Sequence, residues 1–257
     1  MIRCSSLFVS IILLANVVGT ASGQMQREYP GTVLSLLVPA DVTDEDASAL
    51  HLFLEGSFIF LRDSLRLPSV ELTAKILPVT RFESEAGTEW LWRPVILRPK
   101  ELLLRVARTP RDWHILKQYA KFQMAMAFLE PAIARGCPQW YAEAFAVYFA
   151  DLPEDRKPPL KGTMTAFEDL SQDLQRFPQP PGRVDVECVL SLTMEFFITT
   201  FGRTKSLEIL SAFDGVSHPD AVFKKILGAP MSQIEEQWAA FLRGQTPRVG
   251  KTDKRRP

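Results

Sequence analysis

Hydrophobic positions change their period near residue 100. Before it, short apolar runs bounded by Gly and Pro flank one helical stretch; after it, apolar residues recur at helical spacing almost to the end of the chain. Thr32 to Val38, apolar and bounded by Gly31 and Pro39, predicts a strand. Thr43-Asp44-Glu45-Asp46 then supplies a cap and an acidic first turn for a helix to about Leu65. Its inner face would carry Ala47, Leu50, Leu54, Phe58, Leu61 and Leu65. Val70 to Val79 and Pro94 to Leu97 predict two more strands, separated by a Gly-containing turn around Glu85 to Thr88. Beyond Pro99, helices are expected at about 110–130, 138–150, 163–176, 185–200, 203–213, 218–228 and 231–244. Pro-rich stretches at 151–162 and 177–182 connect them.

This pattern predicts an α+β fold: a small N-terminal mixed sheet with one packed helix, then a mostly helical half. Expected divisions are a leader at 1–23, an α/β subdomain at 24–100, a helical subdomain at 101–245 and a disordered basic tail at 246–257. The leader reads as a signal peptide. Arg3 precedes an apolar run, Leu7 to Val18, of about 12 residues, short of the roughly 20 needed to cross a bilayer, and small residues follow with a cleavage site near 21–24. An uncleaved anchor is the alternative. The expected location is therefore periplasmic or extracellular, with no membrane span after cleavage.

Charge narrows the function classes. Thirty Lys and Arg balance thirty Asp and Glu, which gives no argument for nucleic acid or an anionic membrane as partner. No internal repeat, Gly-rich phosphate loop or G-x-S-x-G motif is present. Cys137 and Cys188 remain after the leader, and an oxidising compartment could pair them; two buried thiols is the equal alternative. Trp90 and Trp92 alternate as strand aromatics do, either lining a cleft or packing.

Candidate chemistry centres on Trp140-Tyr141-Ala142-Glu143-Ala144-Phe145-Ala146-Val147-Tyr148. This segment resembles the W-x-x-E-G-x-A-x-Y element of gluzincin metallopeptidases, the peptidase MA-like families in particular. Phe201-Gly202-Arg203, Ala221 to Gly228 and Ile234 to Leu242 resemble their helical C-terminal half, so the likeness spans roughly residues 30–245. The resemblance implies a zincin-like fold, with Glu143 at the position of the third zinc ligand and Trp140 and Tyr148 beside it. It also implies that Pro94 to Leu97 is an edge strand beside the cleft, able to accept an extended peptide.

The chain departs from that family at the metal. A thermolysin-type site needs His at i and i+4 on the preceding helix, with a Glu after the first. The only histidines are His51, His114 and His218, and no two stand within one helical turn. Two registers fit the 110–130 helix: Lys117-Gln118-Tyr119-Ala120-Lys121, which is favoured, and His114 to Gln118. Neither supplies a zinc set, because a protonated Lys offers donors and no lone pair. In the first register Lys117 and Lys121 are expected to project towards Glu143 and pair with it.

The expected protein is thus a catalytically inactive, zinc-free, cofactor-free homologue that binds a peptide or protein partner. Two alternatives stand. One is a hydrolase with a relocated or metal-free site using Glu143, with or without His114. The other is a structural envelope protein whose cleft has closed.

Overall fold

The computed structural model describes residues 16–19, 25–65, 70–87, 93–152, 164, 166–177 and 182–244. Trp90, Trp92, the basic tail, the 153–163 connection and most of the leader lie outside these. Six strands form one mixed sheet in the order β1-β2-β3-β4-β6-β5: β1 (Asn16–Gly19), β2 (Met25–Tyr29), β3 (Leu34–Pro39), β4 (Leu72–Leu77), β5 (Val95–Arg98) and β6 (Glu101–Arg105). β3, β4 and β6 run parallel; β1 and β2 on one side and β5 on the other are antiparallel to their neighbours. The fold is α+β, a small mixed sheet followed by a mostly helical remainder.

The helix α1 (Asp44–Leu65) crosses from β3 to β4. Its start is fixed by Thr43, whose Oγ1 accepts from the Asp46 N–H at 3.1 Å, with three acidic residues in the first turn complementing the helix dipole. Alternation then divides the sheet. Leu34, Leu36, Val38, Leu72, Ala74, Ile76, Leu102 and Leu104 face the main core under α1 and α3 (Pro110–Ala134). Leu77, Ile96 and Leu103 point the other way, onto Phe82 and Ala86 of α2 (Val79–Ala86).

The turn from β2 into β3 depends on Gly31. A Cβ there would collide with the Leu34 carbonyl and with Glu55, whose Oε1 accepts from the Thr32 N–H at 2.6 Å and the Val33 N–H at 3.3 Å. Glu55 thereby pins the loop to α1.

The remaining helices are α4 (Gln139–Phe149), α5 (Phe167–Arg176), α6 (Gly182–Phe201), α7 (Arg203–Ser211), α8 (Pro219–Leu227) and α9 (Met231–Leu242). α4 packs between α3 and α6. One continuous core runs from the sheet into these helices.

Three elements differ from the sequence expectation. β6 lies beyond the boundary placed at residue 100; its Leu102-Leu103-Leu104 run is buried on both faces and so shows no alternation. α2 replaces part of the expected turn around 85–88; it spans only two turns and buries only Phe82 and Ala86. β1 falls inside the segment 1–23 expected as a leader, and it is hydrogen-bonded to β2 alone. Among the described residues, no helix is long and apolar enough to cross a membrane.

Candidate functional site

α4 begins after Gly136, whose φ of 98° suits glycine, and Pro138, which precedes the first turn. Every residue from Trp140 to Val147 except Glu143 is apolar or aromatic, and all are buried. Gln139 and Glu143 stand at i and i+4, so they share one face. That face looks into a cleft of about 960 Å³. Its walls include Leu72, Ile96 and Leu97 from the sheet, Phe122 and Met126 from α3, and Leu174 from α5; Glu143, Gln139, Gln123, Arg93 and Arg183 supply polar groups.

Glu143 is only 6% exposed, so its carboxylate requires partners. Oε1 accepts from Gln139 Nε2 at 2.8 Å, and Oε2 accepts from Arg183 Nη2 at 2.5 Å. Arg183 also donates through Nε to Glu187 Oε1 at 3.2 Å, one turn along α6. Arg93, buried at the start of the β5 segment, places Nη2 4.0 Å from the same Glu187 oxygen and lies over the Phe122 ring. Two guanidinium groups and two carboxylates thus form a near-neutral buried cluster.

Its electrostatics are uneven. Burial works against the charge on Arg183, but Glu143 and Glu187 together hold its pKa above the ordinary arginine value. Burial and the neighbouring Arg183 depress Arg93. Burial pushes the Glu187 carboxyl up, further than the two arginines pull it down. Arg183 therefore stays charged, and Glu187 sits in the less compensated place. Burial and the Glu187 charge also raise the Tyr119 phenol to about 12, keeping it neutral.

The sequence-predicted residues separate. Glu143 is at the site, but Lys117 and Lys121 are not its partners. Their ammonium groups lie over Phe53, at 5.5 and 5.6 Å from its centroid, and Lys121 also lies 5.2 Å from that of Phe149. Gln118 is buried and donates to the Asp151 carbonyl at 3.0 Å. Trp140 stacks on Phe167, ring centroids 4.1 Å apart, within the aromatic core. Tyr148 is half-buried and His114 exposed, and neither lines the cleft. Cys137 and Cys188 stand as buried thiols rather than as a bridge; burial raises Cys137 to about 12.

Neither tried register on α3 meets Glu143. The α3 positions on the cluster side are Tyr119, which couples to Glu187 and both arginines, and Gln123, which lines the cleft. They are themselves an i, i+4 pair. Sequence reasoning missed these two together with Arg93, Gln139, Arg183 and Glu187. A usable signal existed: Gln139 and Glu143 form a polar i, i+4 pair around the apolar Trp140-Tyr141-Ala142, and Arg183 and Glu187 form an oppositely charged i, i+4 pair.

The donor set does not fit zinc. A site of that kind needs imidazole, thiolate or carboxylate lone pairs, whereas Glu143 is met here by the Arg183 guanidinium and the Gln139 amide. Among the described residues, no group of three or more His, Cys, Asp or Glu side chains could hold a metal ion. What the arrangement offers is a neutral, hydrogen-bonding surface beside apolar walls. No protein-family model matches the chain, and no curated protein matches it.

Proposed function

We propose that this is an exported, catalytically inactive gluzincin-like protein that binds an extended peptide segment in the cleft. The carrying observation is the Arg183–Glu143 pair at 2.5 Å: a guanidinium from α6 neutralises the carboxylate, and on the gluzincin reading it stands in for the cation of an active homologue. On this reading Tyr119 and Gln123 stand at the two histidine positions of α3. Glu143, satisfied by Arg183 and Gln139, supports the cleft instead of activating water.

The peptide's place follows from strand geometry. β5 is the sheet's last strand, and Arg105 N–H donates to the Pro94 carbonyl at 2.8 Å. Residues 94, 96 and 98 therefore point their backbone groups at β6, while Val95 and Leu97 turn theirs outward. An added strand would bond to those two residues, with alternate side chains against Leu97, Phe122 and Met126. Export rests on the leader at 1–23, whose removal takes β1 with it and leaves a five-stranded sheet.

Elemental analysis of the processed protein after zinc exposure is the first test, with no retained metal expected. Amide shift perturbation by an apolar extended peptide, centred on Val95 and Leu97, is the second. About one zinc per chain, lost in Glu143→Ala, would overturn the proposal in favour of a relocated hydrolase site. Absence of any peptide response would favour a structural envelope role.

A further inference from the structure

Three of the exposed large apolar residues, Leu52 (70% exposed), Ile59 and Phe60, lie within two turns of α1. Outward-facing apolar side chains so concentrated mark an interaction surface more often than chance. They do not stand alone. Phe60 stacks on Phe149 of α4 at 5.3 Å and 10°, extending the apolar strip onto a second helix.

Cations border this strip on one side. Lys117 and Lys121 from α3 rest over Phe53, Lys121 also over Phe149, and Arg203 from α7 lies 5.4 Å from the Phe60 centroid. Among the described residues their charged ends sit on ring faces, where carboxylates of a partner could reach them. Phe149, under Lys121, is the ring that stacks on Phe60, under Arg203, so the cations follow one continuous aromatic edge.

We propose that this face docks an acidic amphipathic helix of another protein. Its apolar stripe covers Leu52, Ile59 and Phe60, and carboxylates along one edge meet Lys117, Lys121 and Arg203. Charge decides against the other occupants. In a two-fold pair of copies the patch meets itself and brings these cations towards their equivalents. A flat anionic bilayer would extend over Glu45, which is exposed and precedes Leu52 by seven residues on the same outer face. A helix laid over Leu52 to Phe60 stops short of Glu45.

The surface is separate from the cleft, so its test is independent of the peptide proposal. The probe is a synthetic amphipathic helix with a leucine stripe flanked by Glu at seven-residue spacing, compared with the same peptide carrying Lys. Titration of the full chain should show at least ~10-fold tighter binding of the Glu peptide, weakening as salt rises. Binding should vanish in Leu52→Asp/Ile59→Asp with the melting temperature retained, and Lys117→Glu/Lys121→Glu should shift preference to the Lys peptide. Equal binding of both peptides, or of neither, would overturn the proposal. So would capture by phosphatidylglycerol vesicles in place of the peptide, or a dimer in sedimentation that Leu52→Asp dissolves.

Discussion

Trp140 and Glu143 sit one turn apart on α4 and are buried to nearly the same depth, 5% and 6% exposed, yet opposite physics holds them. On the Trp140 side, Phe167, Phe197, Phe223 and Tyr141 pack ring against ring, and Trp238 joins through Phe167. That face is stabilised by area and contact, shared among many neighbours. On the Glu143 side, few groups carry the arrangement, and each compensates a charge that water no longer solvates. The aromatic face loses stability in proportion to what is removed. The polar face loses it according to what is left behind.

Arg183→Met is the sharpest way to break this contrast. It strands the Glu143 and Glu187 carboxylates, and should cost about 3–5 kcal/mol in denaturant unfolding although Met retains much of the side-chain volume. Removing one acid with it, Arg183→Met with Glu143→Gln, leaves Arg93 facing Glu187 and should recover most of that loss. Trp140→Ala should cost a similar ~3–5 kcal/mol, but no second substitution on the polar side should restore it. If the double variant proved no more stable than Arg183→Met alone, the charges would not be the cause.

Tyr141→Phe gives a smaller effect on the aromatic side. Its hydroxyl donates to the Ser206 carbonyl at 2.8 Å in a fully buried place, so the variant should lose about 1–2 kcal/mol, read from the urea midpoint.

Acid–base behaviour separates the buried cluster from the surface. Glu187 holds its proton more tightly in the folded chain than in the unfolded one, chiefly through burial. Its contribution is therefore complete below the unfolded carboxylate range and is lost as pH rises through the raised folded value. Urea midpoints measured upward from about pH 4.5, the ordinary Glu range, should show this decline, and Glu187→Gln should flatten it. Exposed Asp214 behaves oppositely. Backbone N–H groups of Ser217 and Val216 and the Ser217 hydroxyl lower it to about 2. Its contribution is present above the unfolded Asp range and lost as pH falls towards about 2. Asp214→Asn should remove that small acid-side dependence, detectable in melting curves below about pH 4.

Local patterning made much of the fold legible. The α1 range follows from its Thr43 cap and apolar spacing, and α4, α6, α8 and α9 follow from helical period with flanking Pro or Gly. β5, read from Pro94 to Leu97, lies at the sheet edge and on the cleft wall. β2 was not legible: Met25-Gln26-Arg27-Glu28-Tyr29 is largely polar, and pairing with β1 and β3 together with the Arg27 contacts to Asp44 and the Val42 carbonyl makes it a strand. At the site, the α4 motif points to Glu143, but the cation that meets it comes from α6 and not from α3. Lys117 and Lys121 are separated from Glu143 by the rotation of α3, and the two cations that matter lie far along the chain at Arg93 and Arg183.

By itself, the sequence determined the α+β class, the order of most elements and the absence of a His-x-x-x-His pair, because these depend on local periodicity and composition. Only the tertiary structure decided which face of α3 meets α4, that Arg183 compensates Glu143, and that Lys117 and Lys121 turn to an outer aromatic surface. The reason is the reach of the interactions. A helix declares its own faces within a turn or two, whereas a buried charge is satisfied by whichever partner the packing of distant segments brings within hydrogen-bond distance.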